Sequence, residues 1–296
     1  MTKVAIIVLH FADKKNTIEC LYSIKLLDFP KNQIELIVVD NGTGSLSAKE
    51  IKSVIVQFKL IKSKNNLGFA GGINVGIKQA LKNKSVKFVL CLNNDTVVEK
   101  NLLKKFIDYS ENTSIGILGT IITYYQNPSR IWFAGGYLNE LFCYTSHQSM
   151  NKYLPDVKTG YVDFITGAAM FVRREVFQEI GLFDSDYFLY WEDVDFCLRA
   201  KRKGYSIYCL NLSLLKHKVS SASGLMGSNI LSEVRAYYYA RNPFIFMKKN
   251  KLPLLSGIIG QLFIRFPYYL TQVKDLESLK EYFRGLIDGF KILLRK

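Results

Sequence analysis

The segment Val86-Lys-Phe-Val-Leu-Cys-Leu-Asn-Asn-Asp95 decides the fold. From Phe88 to Leu92 it is apolar without interruption, and then it turns polar at once with Asn93-Asn94-Asp95. A strand with no polar face is buried on both sides, which predicts a mainly parallel sheet with helices on both faces. Outward from it the same pattern repeats. Val4–Leu9 and Ile34–Val39 read as buried strands, ending in His10-Phe11 and Asp40-Asn41-Gly42. Asn16–Leu27 and Ala70–Leu81 have helical spacing, and Val54–Ile61 reads as a further strand. Ligands of open α/β sheets sit beyond the carboxyl ends of the strands. His10, Asp40 and Asn93-Asn94-Asp95 are therefore expected to face one crevice.

The chain of 296 residues is 49% hydrophobic and 22% charged, which excludes disorder, collagen and a small disulfide scaffold. Its 40 Lys and Arg against 25 Asp and Glu give a formal charge of +15 and predict an anionic partner. No helix-turn-helix, zinc finger or aromatic RNA platform accompanies that charge, so nucleic acid is not the expected partner. The five cysteines are odd in number and include no CxxC pair, which fits a reducing, cytoplasmic setting. Residues 115–165, irregular and rich in Gly, Tyr and Asn, are expected to supply acceptor-side loops.

Four motifs carry chemistry. Asn93-x-Asp95 suits a hard divalent cation such as Mg²⁺ or Mn²⁺ shared with a diphosphate, or else a turn that caps the next helix. The run Asn66-Leu-Gly68-Phe-Ala-Gly-Gly-Ile-Asn74 opens a helix as a phosphate cradle or as a tight packing turn; it lacks the Gly-Lys-Ser/Thr of a P-loop. Trp191-Glu192-Asp193-Val-Asp195 places three carboxylates in four residues just before a helix over Val194–Lys203. One of them could take a proton from an acceptor hydroxyl while Trp191 stacks on a sugar ring; the other possibility is acids favoured by a helix amino end. His217, entering a Ser/Gly-rich loop, is either a metal or diphosphate contact or a structural histidine.

In this order the segments 38–41, 66–74, 92–95, 166–174 and 183–199 resemble family 2 glycosyltransferases, specifically their rhamnosyltransferase-like branch. His217 with Ser220–Gly224 and Arg241-Asn242 after Tyr237–Tyr239 also match that branch, so the likeness covers about residues 3–245. The resemblance implies a GT-A fold, a Rossmann-like mixed sheet flanked by helices. It also implies an inverting, metal-dependent transfer from a dTDP- or UDP-sugar to a saccharide acceptor. Asp193 would then be the catalytic base. His10, Phe11, Asp40, Asn41, Asn66, Gly68, Asn74 and Asn94 would border the donor. Gly167, Trp191 and Glu192 would line the acceptor side, and Asn93, Asp95 and His217 would hold the cation. The departures are Leu9-His10-Phe11 where the family often has Tyr-Asn, and Asn41-Gly-Thr-Gly-Ser45 in place of an Asn-x-Ser-x-Asp form. A nucleotidyltransferase would carry a glycine-rich basic loop after the first strand, where this chain has Leu9-His-Phe-Ala-Asp13.

The division expected is a catalytic domain over residues 1–225 and a helical extension over 226–296. From Phe246 onward basic residues outnumber acids, and Leu279, Tyr282, Phe283, Leu286, Ile287, Phe290, Leu293 and Leu294 recur at helical spacing. Such a helix could lie in an anionic membrane interface, holding the enzyme at the inner face and near a lipid-linked acceptor. Otherwise it packs on the catalytic domain or on a second subunit. Leu252–Leu270 is apolar, but its Pro253, Gln261, Arg265 and Pro267 make it a poor membrane span.

Overall fold

The computed structural model describes residues 3–111, 113–154, 157–219, 232–272 and 275–294. The first half alternates as expected: β1 (Lys3–His10), α1 (Lys14–Lys25), β2 (Ile34–Asp40), α2 (Ala48–Lys52), β3 (Lys59–Lys62), α3 (Gly68–Leu81) and β4 (Val86–Asn93). There follow β5 (Thr96–Val98), α4 (Leu102–Glu111), β6 (Ile115–Tyr124), β7 (Ile131–Phe133), β8 (Gly136–Asn139) and β9 (Tyr144–His147). Then come β10 (Ala169–Arg173), α5 (Arg174–Ile180), α6 (Glu192–Arg202) and β11 (Ser206–His217). The C-terminal part holds α7 (Glu233–Asn250), α8 (Leu254–Ile259), a π-helical stretch Gly260–Arg265, α9 (Phe266–Leu270) and α10 (Leu276–Leu294).

Among the described residues the main sheet runs β3-β2-β1-β4-β10-β6-β11-β5, with β7 beside β6. The first four of these strands are parallel, β10 inserts antiparallel between β4 and β6, and β5 pairs antiparallel with β11. The interiors of β1, β2 and β4 are buried on both faces, as their apolar runs demand. Local signals set the helix starts. Asp13 caps α1 by accepting the Asn16 N–H, and Ser47 with Glu50 forms a reciprocal capping box on α2. The mixed sheet flanked by helices is the architecture that the resemblance implies.

Two expectations change. The third strand is shorter than Val54–Ile61, because Ala48–Lys52 is helical and pairing with β2 begins only at Lys59. Within the mixed region 115–165 the regular part is larger than its composition suggests: it begins with β6, ten residues long and almost wholly buried within the sheet. Gly116, Gly119, Thr120 and Thr123 interrupt its apolar pattern, which disguised it. Gly119 is needed there, since a Cβ would lie 2.6 Å from the Ile165 side chain.

The boundary at 225 and the Ser220–Gly224 match lie outside the described residues. Beyond it, α10 lies along α7. A Cβ on Gly285 would come within 2.3 Å of the Tyr237 carbonyl oxygen, and one on Gly289 within 2.4 Å of the Phe244 ring. Tyr282 and Leu286 are buried, and Phe290 meets Phe244 with 4.7 Å between ring centroids. The inner half of the α10 stripe is thus a packing face, and only Phe283, Ile287 and Leu294 of the stripe are exposed. Replacing Gly285 by Val should force α7 and α10 apart and cost about 2 kcal/mol, read as a lower urea midpoint at unchanged slope. An unchanged midpoint would contradict this packing.

Candidate active site

Parallel register brings the strand ends together. His10 stands opposite Asp40, and Leu9 opposite Asn93, so the carboxyl ends of β2, β1 and β4 share one rim. Asp40 turns back into its own loop. Its Oδ1 accepts the Thr43 hydroxyl at 2.6 Å and the N–H groups of Thr43 and Gly44, while Oδ2 accepts the Leu46 N–H. Burial pushes its pKa up, but these donors outweigh burial and hold the carboxyl below its ordinary value. His10 is fully buried, with Nδ1 2.6 Å from the Thr17 hydroxyl and Nε2 2.9 Å from that of Ser45. Burial lowers its pKa against the pull of Asp40. Phe11 is half-buried beside this pocket wall. The Asn94 amide donates to Thr17 Oγ1 and to the Asp13 carbonyl, which ties the 93–95 turn to the start of α1.

The glycine-rich run acts chiefly as a packing device. The Asn41 amide donates to Asn66 Oδ1 and the Gly68 carbonyl, and its oxygen accepts the Leu67 N–H. Gly68 has φ +70°, and a Cβ there would lie 2.2 Å from the Phe188 carbonyl oxygen. Cβ atoms on Gly72 and Gly76 would strike Leu9 and Ile7, so these glycines let α3 lie flat on β1. The Asn74 amide nitrogen donates to the Phe183 carbonyl at 2.7 Å, and its oxygen accepts the Phe183 N–H. The backbone pairing of residue 183 occupies the side chain that the resemblance had assigned to the donor.

Asp95 and His217, 122 residues apart, meet because β5 pairs with the end of β11, with Thr96 opposite His217. His217 Nε2 lies 3.0 Å from Asp95 Oδ1, and the Trp132 ring stands edge-on to the imidazole at 4.2 Å between centroids. His217 Nδ1 is buried and has no hydrogen-bond partner among the described residues. The nitrogen that meets Asp95 is Nε2, whereas the orphan is Nδ1 on the other side of the ring. A carboxylate oxygen and an imidazole nitrogen are ligand types that suit a divalent cation such as Mn²⁺, once the Nε2–Asp95 contact opens to admit it. Among the described residues no group of three or more His, Cys, Asp or Glu side chains is arranged to hold a metal by itself.

The third component arrives through β10. The Gly167 N–H donates to Asp193 Oδ2 at 3.0 Å, and the neighbouring Ala168 carbonyl accepts the Asn93 N–H at 3.0 Å. Two consecutive residues therefore join Asp193 to the Asn93–Asp95 turn. Gly167 has no room for a side chain, as its Cβ would lie 2.7 Å from the Phe69 ring. Asp193 Oδ1 accepts the Val194 N–H at the amino end of α6. Burial raises the Asp193 pKa against these donors. Burial and then the Asp193 charge raise that of Glu192 well above the usual range. Glu192 Oε2 is buried and has no partner among the described residues. Two carboxyls side by side and away from water thus both hold their protons more tightly than free carboxyls do. Tyr190 lies near both Glu192 and Asp95, whose charges raise its pKa together with burial.

Trp191 is 4% exposed, at φ +75°, and its indole packs on Phe246 of α7 at 5.0 Å. Phe188 and Tyr190 also have positive φ, so the approach to Glu192 is strained, by about 1–3 kcal/mol per residue. Asn242 of α7 holds it, its amide donating to the carbonyls of Tyr187, Leu189 and Tyr190. Asp195 accepts from Tyr187, Arg199 and Asn250 and is a structural anchor. Sequence reading placed Asn242 in the matching branch without a task; its task appears only when α7 folds back onto 187–190. The contacts of Trp132 and Asn250 carried no local signal at all.

The family profile described as Glycosyl transferase family 2 matches residues 5–181. Over 298 aligned residues, 97% of this chain and 95% of the relative, the chain is 26% identical to dTDP-rhamnosyl transferase RfbF of Shigella flexneri. It is 33% identical over 110 residues to N-acetylglucosaminyl-diphospho-decaprenol L-rhamnosyltransferase of Mycobacterium tuberculosis, covering 35% of this chain and 34% of that one. Among solved structures, S. aureus TarS 1-349 aligns with a TM-score of 0.60 at 19% identity, over 99% of this chain and 81% of its own. The mannosyltransferase PcManGT from Pyrobaculum calidifontis, in complex with GDP-Man and Mn²⁺, aligns at 0.61 and 14%, also over 99% and 81%. At such identities the structural likeness concerns the fold, which is GT-A.

The state of Glu192 is open to measurement. A carboxyl whose folded pKa is raised adds stability below its unfolded value and loses it as pH climbs through the folded one. Wild-type stability should therefore fall as pH rises from about 4.5 towards neutrality, and Glu192→Gln should flatten that fall in urea titrations. Parallel pH profiles for the two proteins would contradict a proton on Glu192.

Proposed function

The chain belongs to glycosyl transferase family 2, and from that membership and the site's geometry we propose an inverting transfer of a rhamnose-like hexose. The donor is a dTDP- or UDP-sugar, and the acceptor is a saccharide carried on a lipid in the synthesis of cell-surface polysaccharide. The observation that supports this reading is the link from Asp193 through Gly167 and Ala168 to Asn93, which holds a buried carboxylate close to the Asn93–Asp95 turn.

Asp193 takes the proton of the attacking acceptor hydroxyl. Its raised pKa makes it more basic than an ordinary aspartate, which suits that proton. The N–H groups of Gly167 and Val194 fix the carboxylate without occupying every lone pair. Glu192, whose Oε2 has no partner among the described residues, bonds an acceptor hydroxyl and so orients the sugar. The hydroxyl attacks the anomeric carbon from the face opposite the leaving diphosphate, so one displacement inverts it and no covalent enzyme intermediate forms. Asp95 and His217, with Asn93 beside them, would hold a divalent cation, which when bound offsets the charge of the leaving diphosphate. His10, Phe11, Asp40 and Asn41 shape the nucleoside end, with Asp40 acting through the loop it closes. Residues 1–225 carry the transfer, and the extension over 226–296 braces the base loop through Asn242.

Asp193→Asn should lower transfer by roughly 10²- to 10⁴-fold while Mn²⁺ and nucleotide-sugar still raise the melting temperature. Asp95→Ala and His217→Ala should instead remove the Mn²⁺-dependent part of that stabilisation. Near-normal turnover by Asp193→Asn would refute the base.

A further inference from the structure

Leu254–Leu270 forms a bent helix through α8, the π-helical stretch and α9. The face against the protein mixes small and polar residues, Gly257, Gly260 and Gln261, with Ile258, Phe266 and Tyr269 packed on the core. A Cβ on Gly257 would lie 2.2 Å from Met247 Sδ, and one on Gly260 1.9 Å from the Phe142 carbonyl oxygen. Gln261 is buried and donates to the Cys143 carbonyl at 2.5 Å. The face towards solvent carries Leu255, Ile259 and Phe263, four residues apart, at 76%, 41% and 73% exposure. Phe266 meets Phe283 of α10 at 5.5 Å between centroids, so the exposed Phe283 and Ile287 continue the surface. Water is a poor solvent for such a face, and an apolar area this continuous marks a contact surface.

We propose that this surface, rather than the α10 stripe read from the sequence, inserts shallowly into an anionic lipid interface. Charge selects the occupant. From Phe246 to Lys296 the sequence holds ten Lys and Arg against four Asp and Glu, and the whole chain carries +15. A contact between two copies would bring together two chains of +15, whereas anionic headgroups attract such a charge. No helix among the described residues is long and apolar enough to cross a membrane, which suits insertion from one side. The purpose rests on the lipid-linked acceptor proposed above: a docked enzyme meets its acceptor in the plane of the membrane.

The test is sedimentation of the full chain with phosphatidylcholine vesicles, with and without phosphatidylglycerol. Wild type should pellet with the anionic vesicles. The variant carrying Leu255→Ser, Ile259→Ser and Phe263→Ser should partition roughly tenfold less or weaker still, with an unchanged circular dichroism spectrum. Phe263→Ser alone should move the same way by a smaller factor, should the triple variant misfold. Equal binding by wild type and both variants overturns the proposal. So does wild type that ignores anionic vesicles, or a dimer in light scattering that the triple variant dissolves while no lipid binding is seen. Melting with nucleotide-sugar and Mn²⁺ separates the two readings. Donor stabilisation without vesicle binding sinks only the membrane surface, and vesicle binding without donor stabilisation sinks only the transfer.

Discussion

The site depends on the antiparallel insertion of β10 between β4 and β6. That strand delivers the turn at 166–168 to the carboxyl end of β4. One peptide there points its carbonyl at Asn93, and its neighbour points an N–H at Asp193. Backbone groups buried in a sheet must be paired, so the geometry is not free to drift. The distance between the Asp193 carboxylate and the Asn93–Asp95 turn is thereby set through main-chain groups rather than long side chains. Gly167 makes this possible, since Phe69 fills the place of its Cβ.

Around that joint, energy is stored as well as released. Three residues of positive φ lead into Glu192, and two carboxyls lie side by side away from water. Neither feature would persist alone. The Asn242 amide satisfies the carbonyls of the strained segment, and Asp195 binds α6 to Tyr187, Arg199 and Asn250. The C-terminal helices are therefore a brace for the base loop as well as an outward surface. Strain held by surrounding structure fixes the segment 188–191 and with it the position of Glu192 and Asp193.

What could be read from the sequence follows the range of the forces involved. The apolar run 88–92 announces a doubly covered strand because burial on both faces leaves no polar position. The clustering of His10, Asp40 and Asn93 at one rim follows from parallel strands ending together. The meeting of Asp95 and His217 was only a possibility, because strand pairing across 122 residues leaves no local mark. The fold contacts of Trp191 and Asn74 escape sequence reading for a shared reason. An aromatic ring or an amide suits a sugar ligand and a fold contact equally well, and only Phe246 and Phe183 reveal which one claims it. β6 was hidden by glycines that exist to admit Ile165 and Tyr205. In the tail, period alone identified an amphipathic helix but not which of its faces the protein would take.

The most direct measurement is a crystal structure of the chain with Mn²⁺ and a non-transferable nucleotide-sugar analogue, with the metal located by its anomalous signal. The manganese peak should fall at Asp95 and His217, and the Asp193 carboxylate should face the anomeric carbon from the side opposite the diphosphate. A donor bound with Asp193 on the diphosphate side, or seated away from Asp95 altogether, would contradict the arrangement described.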